Sequence, residues 1–313
     1  MKVLYITGWC RSGSTILGNL LGEVPGVVHV GEVHYLWRNG VLGSGTNTSC
    51  GCGKPVPDCP LWNEVIERVA GDEPTDAARR AVEDQRRYLR TRHTGRRLAE
   101  ARGARPVEPG ALTAVDRLLS VYRAVADATG ARVVVDSSKY PAEAAALLGR
   151  ARSGAEPEDA EPEVDLRVLH LVRDPRATAH SWRRAKAYIP AMGVARSTAY
   201  WTAFNLASDR VVAAAGERGL RLRYEDFARA PRATLTEVMA LLGVTDPAPV
   251  DDAGRGRLGV NHTVTGNPDR LVHGPVQVRP DEAWRAELPS RAALLATALA
   301  APALTRYGYR YRH

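Results

Sequence analysis

The sequence predicts a three-layer α/β fold, a central parallel sheet flanked by helices, and three observations predict it. Short apolar runs recur along the chain, each the length of one strand buried on both faces. Helix-starting signals follow these runs, so strands and helices alternate as in βαβ units. The first run ends in a glycine-rich turn that opens a helix, which makes the fold P-loop-like. At 313 residues the chain can bury a large core, and it reads as one domain, 1–313.

The strands, in order, are Lys2–Thr7, Val27–Val30, Arg132–Asp136, Leu166–Val172 and Leu220–Arg223. Helices are expected from Ser14, Pro141, Pro175 and Pro231. In the last three a proline occupies the first turn, where its missing N–H breaks no helical hydrogen bond. His170, set between Leu169 and Leu171, reads as a core residue of its strand.

Two segments interrupt the alternation. Residues 153–165, SGAEPEDAEPEVD, hold six acids, two prolines and no base, the composition of a solvated loop. Residues 40–115 form a larger, mostly helical insertion that is expected to act as a lid or an acceptor pocket. Within it, 79–105 carries ten arginines against three acids, with apolar residues chiefly at Val82, Leu89 and Leu98. That pattern fits a surface helix with a thin buried stripe, either a solvated charged face or a basic lid over an anionic site. Aromatics are not interleaved with these arginines, which argues against a nucleic-acid groove.

Lys plus Arg number 43 against 35 for Asp plus Glu, a formal charge of +8, and this balance favours an anionic ligand. The first strand runs straight into the glycine loop, leaving no room for a cleavable leader, and no later run approaches the length of a membrane span. The expectation is a cytoplasmic protein without a membrane span. Cys50, Cys52 and Cys59 cluster in TSCGCGKPVPDCPLW, but no Cys or His follows at the spacing of a zinc finger. The cluster reads as a Cys52–Cys59 bridge or as free thiols ahead of a zinc site, so no metal is assigned.

The stretch GWCRSGST, residues 8–15, matches G-x-x-x-x-G-K-[ST] at Gly8, Gly13 and Thr15, with Ser14 in the place of the lysine. A strand–turn–helix of this kind offers backbone N–H groups and the positive end of a helix to phosphate-like oxygens. The cation here is Arg11, whose planar fork suits a tetrahedral anion and a bridging oxygen. Ser12, Ser14 and Thr15 add hydroxyls.

A second stretch, RVLHLVRDPRATAHSW at 167–182, ends a strand, follows it with Arg173 and places Ser181 eight residues on. Together with GWCRSGST it resembles the sulfotransferases that use 3′-phosphoadenosine 5′-phosphosulfate (PAPS). The resemblance implies that residues 11–15 grip the 5′-phosphosulfate and that Arg173 and Ser181 grip the 3′-phosphate. It continues through LRYEDFARAPRATLTEVMALLGV, residues 222–244, where Tyr224 would lie against the adenosine. It ends in VNHTVTGNPDRL, residues 260–271, which is similar to a C-terminal phosphate loop of bacterial members, with Gly266 and Arg270 as its candidates. CGCGKPVPDCPLW is likewise similar to bacterial members. The donor has no β- or γ-phosphate, so a P-loop lysine would have nothing to reach, and Arg11 can offset charge on the leaving phosphate without Mg²⁺.

The acceptor hydroxyl needs a base. Where phenol and steroid sulfotransferases place a histidine two residues before a proline, this chain has VDSSKYP, with Lys139 in that slot. A protonated lysine cannot take a proton. The carbohydrate and tyrosylprotein branches use a glutamate after the first helix, and VGEVHYLW supplies Glu32, with His34 in reserve. Lys139 would then stabilise charge on the sulfonyl or bridging oxygen. Trp37, Trp62, Trp182 and Trp201 are read as packing rather than as an acceptor wall.

The functional expectation is therefore sulfonyl transfer from PAPS to a hydroxyl of a small molecule, saccharide or lipid, leaving adenosine 3′,5′-bisphosphate (PAP). The acceptor pocket is expected from 33–115 and 184–200; a homodimer is left open, and no nucleic-acid partner is expected. A P-loop kinase is the first rival and would need a lysine at 14 and a Mg²⁺-holding carboxylate. A non-catalytic basic module binding nucleic acid through 79–105 is the second, and it would bind with steep salt dependence.

Overall fold

The computed structural model describes residues 1–153, 164–184 and 190–311. The chain starts with β1 (Lys2–Thr7), α1 (Ser14–Leu21) and β2 (Val27–Gly31). The insertion supplies α2 (Pro60–Ala70), α3 (Pro74–Tyr88), α4 (Thr94–Ala101) and α5 (Pro109–Thr129). Then come β3 (Val133–Lys139), α6 (Pro141–Ser153), β4 (Asp165–Val172), α7 (Pro175–Arg183), α8 (Val194–Ala215) and β5 (Gly219–Arg223). The chain continues through α9 (Tyr224–Arg229), α10 (Pro231–Leu241), an antiparallel ribbon of β6 (Arg255–Leu258) and β7 (Gly274–Gln277), α11 (Trp284–Glu287) and α12 (Ser290–Leu304).

The sheet is parallel throughout, in the order β2-β3-β1-β4-β5. The chain leaves β1 toward one edge and returns past it to build the other, so the crevice above the carboxyl end of β1 is a topological switch point, where open α/β sheets bind ligands. Because side chains alternate along a strand, each face has its own core. Val3, Tyr5 and Val134 point to the side covered by α2 to α6, whereas Leu4, Ile6, Val133 and Val135 pack with Leu17 and Leu20 of α1 and Leu235 and Val238 of α10. All of these are buried, which gives the expected three layers.

The five predicted strands and four predicted helix starts are present. One strand was read short: β3 continues through Ser137, Ser138 and Lys139, all buried. These polar residues ended the apolar run in the sequence, but each finds a partner inside the protein, so burial does not expel them. His170 is fully buried and meets Asn205 at 2.9 Å through Nε2.

The arginine-rich stretch departs from the single surface helix expected. It forms α3 and α4 with a break at 89–93, because the buried Leu89 and Leu98 cannot share one straight stripe across that spacing. Val82, Leu89 and Leu98 are buried as expected, but so is Arg97, which donates to Glu108 at 2.6 Å and lies 3.0 Å from Glu100. Residues 154–163, most of the acidic stretch, lie outside the described residues. No helix among the described residues is long and apolar enough to cross a membrane.

Candidate active site

Each strand of the sheet delivers one candidate residue at or just past its carboxyl end: Arg11 after β1, Glu32 after β2, Lys139 as the last residue of β3, Arg173 after β4 and Tyr224 after β5. Arg11, Glu32, Lys139 and Arg173 line one cavity of about 600 Å³, joined there by Gly13, Ser14, Thr15, Ser181 and Gly266. Ser12 belongs to the same loop but is buried below it. The backbone around this cavity is unusual. Among the described residues, the only non-glycine residues in the left-handed region are Arg11 (φ 73°), Lys139 (φ 76°) and Thr265 (φ 56°), and all three line the cavity. Such conformations cost energy outside glycine and gather at sites where side chains must be aimed.

The glycine loop aims helix α1 at the cavity. Gly13 caps that helix at φ 88°, and a Cβ there would fall 2.5 Å from the Tyr224 ring. Glycine is required on both counts. Tyr224 therefore roofs the loop, with the Arg173 guanidinium 4.5 Å from its ring centre. The Arg11 guanidinium lies 5.5 Å from the ring centre of Trp182.

Lys139 owes its position to a bulge. Between the pairs Tyr5–Asp136 and Thr7–Lys139 strand β3 carries one residue more than β1, and such bulges re-aim side chains beside sites. The Nζ donates to Glu32 Oε1 at 2.5 Å and to the Ser137 carbonyl at 2.8 Å. Burial alone would lower its pKa, but the acidic groups around it, the Glu32 carboxylate first among them, together outweigh that and hold it above the ordinary lysine value. Lys139 is thus a fixed cation. Burial also pushes the Cys10 thiol, on the same wall, up to about 11.

His34 sits behind this pair rather than in the cavity lining. Its Nδ1 is 2.7 Å from Glu143 Oε2, its backbone N–H donates to Ser138 Oγ at 2.9 Å, and its ring stacks on Tyr140 at 3.9 Å. Ser138 in turn donates to Asp136, as does the Tyr122 hydroxyl. Burial, and then the charge of Glu143, lifts the Asp136 carboxyl to about 7. This buried polar network supports the end of β3 from below.

On the opposite wall Arg173 donates to the Arg11 carbonyl at 3.1 Å and to Asp281 Oδ2 at 2.7 Å. Asp281 lines the cavity, and although burial would raise its pKa, Arg173 holds it below the usual carboxylate value. Asp281 was missed in the sequence, where an isolated aspartate over a hundred residues from its partner carries no signal. The same is true of Asn19, Arg38 and Asn47 in the lining.

The segment carrying Gly266 docks on β2: the Glu32 N–H donates to the Val264 carbonyl at 2.7 Å, and the Gly266 carbonyl accepts from Asn47 Nδ2 at 2.7 Å. Arg270 is placed differently from the expectation of a phosphate-facing cation. It is buried and donates to Asn47 Oδ1 at 2.7 Å and to the Ser49 carbonyl at 2.9 Å, bracing two loops outside the cavity lining. From the insertion only residues 44–47 line the cavity; the arginines of 79–105 do not. Trp37, Trp62, Trp182 and Trp201 are buried. The four cysteines are free thiols, so the Cys52–Cys59 bridge considered from the sequence is not formed.

A parallel sheet whose strand ends carry this loop and these cations defines a P-loop-like fold. The model of the sulfotransferase family matches residues 4–248, and the chain belongs to that family. Among solved structures it is similar to the sulfotransferase domain of the olefin synthase from Synechococcus PCC 7002, at 21% identity and TM-score 0.51, over 96% of this chain and 94% of that one. It is also similar to the sulfotransferase domain from the curacin biosynthetic pathway, at 15% identity and TM-score 0.48, over 98% of both chains. No curated protein sequence matches.

Proposed function

We propose that the protein transfers the sulfonyl group of PAPS to an acceptor hydroxyl, with residues from five strand ends dividing the work. The observation that carries this reading is the convergence of Arg11, Glu32, Lys139 and Arg173 on one cavity, beside a glycine loop whose lysine position is Ser14. Residues 11–15 hold the 5′-phosphosulfate, Arg173 and Ser181 hold the 3′-phosphate, and Tyr224 lies against the adenosine.

The acceptor oxygen attacks sulfur as the bond from sulfur to the 5′-phosphate oxygen breaks. The acceptor proton passes to Glu32, and the electron pair of the broken bond leaves on PAP. Arg11 and Lys139 offset the negative charge that builds on the bridging and sulfonyl oxygens. An ammonium has three N–H donors, and Lys139 directs two at Glu32 and Ser137, so the third serves the donor. His34, held by Glu143, positions the Lys139 strand end from behind.

The test is mass spectrometry of a panel of hydroxylated phenols, sugars, lipids and natural products incubated with PAPS in EDTA. A sulfonyl adduct on an acceptor supports the reading. Transfer only from ATP with Mg²⁺ would replace it with the kinase reading.

A further inference from the structure

We propose that Cys50, Cys52, Cys59 and His262 form a structural zinc site that fastens the wall of the cavity. Three cysteines lie within ten residues of one another, and the fourth donor comes from the far end of the chain. The three Sγ atoms and a ring nitrogen of His262 all lie within 4.8 Å of one another. Nδ1 of His262 is 3.2 Å from Cys59 Sγ and 3.9 Å from Cys50 Sγ. In a tetrahedron with Zn–S near 2.3 Å and Zn–N near 2.0 Å, donor atoms stand about 3.5–3.8 Å apart. The donors therefore already surround a point at the right scale, and small side-chain rotations close the set.

The backbone shows a built site rather than a chance meeting. Cys50 N–H donates to the Lys54 carbonyl at 2.7 Å and Gly53 N–H to the Cys50 carbonyl at 2.9 Å, a tight turn that points Cys50 and Cys52 inward. Cys59 caps the amino end of the eleven-residue helix α2, where the helix dipole favours a thiolate. His262 is brought in by a close approach of the two segments. Gly51 N–H donates to the Thr263 carbonyl at 2.9 Å, and the Trp62 indole N–H donates to the His262 carbonyl at 2.6 Å. A Cβ on Gly51 would fall 1.9 Å from Asn261 Oδ1, so a larger residue between the two cysteines would have to displace that side chain from this contact. Cys50 and Cys59 are fully buried.

Three thiolates and an imidazole make a closed, soft donor set that suits Zn²⁺ and leaves no position for a reacting water. Binding releases three thiol protons to solvent. The metal would tie segment 47–59 to segment 261–270, the two pieces that also meet through Asn47 and Gly266 and through Ser49 and Arg270. Its work is to hold Thr265 and Gly266 against Glu32, not to touch the reacting groups. This inference does not rest on the sulfonyl-transfer reading.

The experiment uses the full chain, purified with reductant and dialysed. Elemental analysis is expected to find one zinc per chain in the wild type and in Cys10→Ser, whose thiol lies outside the cluster. Cys59→Ser and His262→Ala are expected to lose most of it. Without any substitution, a thiol reagent is expected to leave the cluster protected until a strong chelator is added. The stripped protein should then melt lower by on the order of 5 °C and recover with Zn²⁺ but not with Mg²⁺. Cobalt added to stripped protein should give thiolate-to-metal charge-transfer absorption. Less than half an equivalent of zinc after exposure to excess Zn²⁺, with thiols equally reactive before and after, overturns the proposal. So does a Cys50–Cys59 or Cys52–Cys59 disulfide in the protein as purified. Zinc without sulfonyl transfer, or transfer without zinc, separates this inference from the proposed activity.

Discussion

The strand-end cavity and the arginine-rich helices α3 and α4 are both basic, yet they use charge in opposite ways. The cavity gathers few cations from distant parts of the chain and holds them on strained backbone, with Arg11 and Lys139 both at positive φ. The helices hold many arginines on ordinary helical backbone and answer Arg79, Arg96 and Arg97 with nearby acids. Arg79 meets Asp76 three residues away, Arg96 meets Glu100 four residues away, and buried Arg97 is shared by Glu100 and Glu108. Charge density therefore does not locate a site; convergence onto a cavity does. A local ion pair at a surface contributes little, whereas a cation fixed in a cavity acts on whatever charge develops there.

The largest effect expected from breaking this contrast is at Glu32. Glu32→Gln keeps the shape and the contact with Lys139 but cannot take a proton, so kcat should fall by about 10² to 10⁴ with little change in PAP binding by calorimetry. An acceptor with an alcohol-like hydroxyl is required, since an already ionised phenol needs no base. Near-full turnover with Glu32→Gln and none with His34→Ala would move the base to His34.

The second expectation reverses the pattern in the helices. Arg97→Ala removes one of the two arginines that meet the buried Glu100 carboxylate and should lower stability by about 1–3 kcal/mol in denaturant unfolding, with kcat unchanged below the new melting temperature. A turnover loss as large as that of Glu32→Gln would make α4 part of the site.

The third effect, read only as a pH dependence, concerns the support beneath Lys139. Asp136 titrates near 7 in the fold against an ordinary 3.8. The native state thus binds the proton more tightly than the unfolded chain does. The associated stability is fully present below about pH 4, declines as pH rises toward 7 and is constant above. In Asp136→Asn this decline should vanish from a plot of melting temperature against pH between 4 and 8. An unchanged plot would assign the decline, if present, to another group.

Much of the frame was legible because its signals are local. Buried parallel strands are continuous apolar runs, and proline at a first helical turn marks Pro141, Pro175 and Pro231. The loop GWCRSGST was legible because phosphate-like recognition needs a fixed spacing of glycines and hydroxyls. Contacts between distant segments were not. Nothing near Arg173 announces Asp281, and nothing near Cys59 announces His262, because each pair is created by the fold rather than by a neighbourhood. Arg270 looked like a free cation in VNHTVTGNPDRL, but burial turned it toward Asn47 and Ser49. The continuation of β3 to Lys139 was hidden by serines that are polar in sequence and satisfied in the core.

Whether the strand-end cavity, and not the basic helices, grips the nucleotide is tested most directly by calorimetric titration in EDTA. Wild-type protein should bind PAP at one site per chain and more tightly than AMP, with the 3′-phosphate competing with Asp281 for Arg173. Arg173→Ala should erase that preference, a loss of roughly 10- to 100-fold in PAP affinity. Replacing the exposed Arg86 and Arg87 of α3 by alanine should leave it intact. Equal affinity for PAP and AMP, or a preference lost with Arg86 and Arg87 but kept without Arg173, would contradict the account.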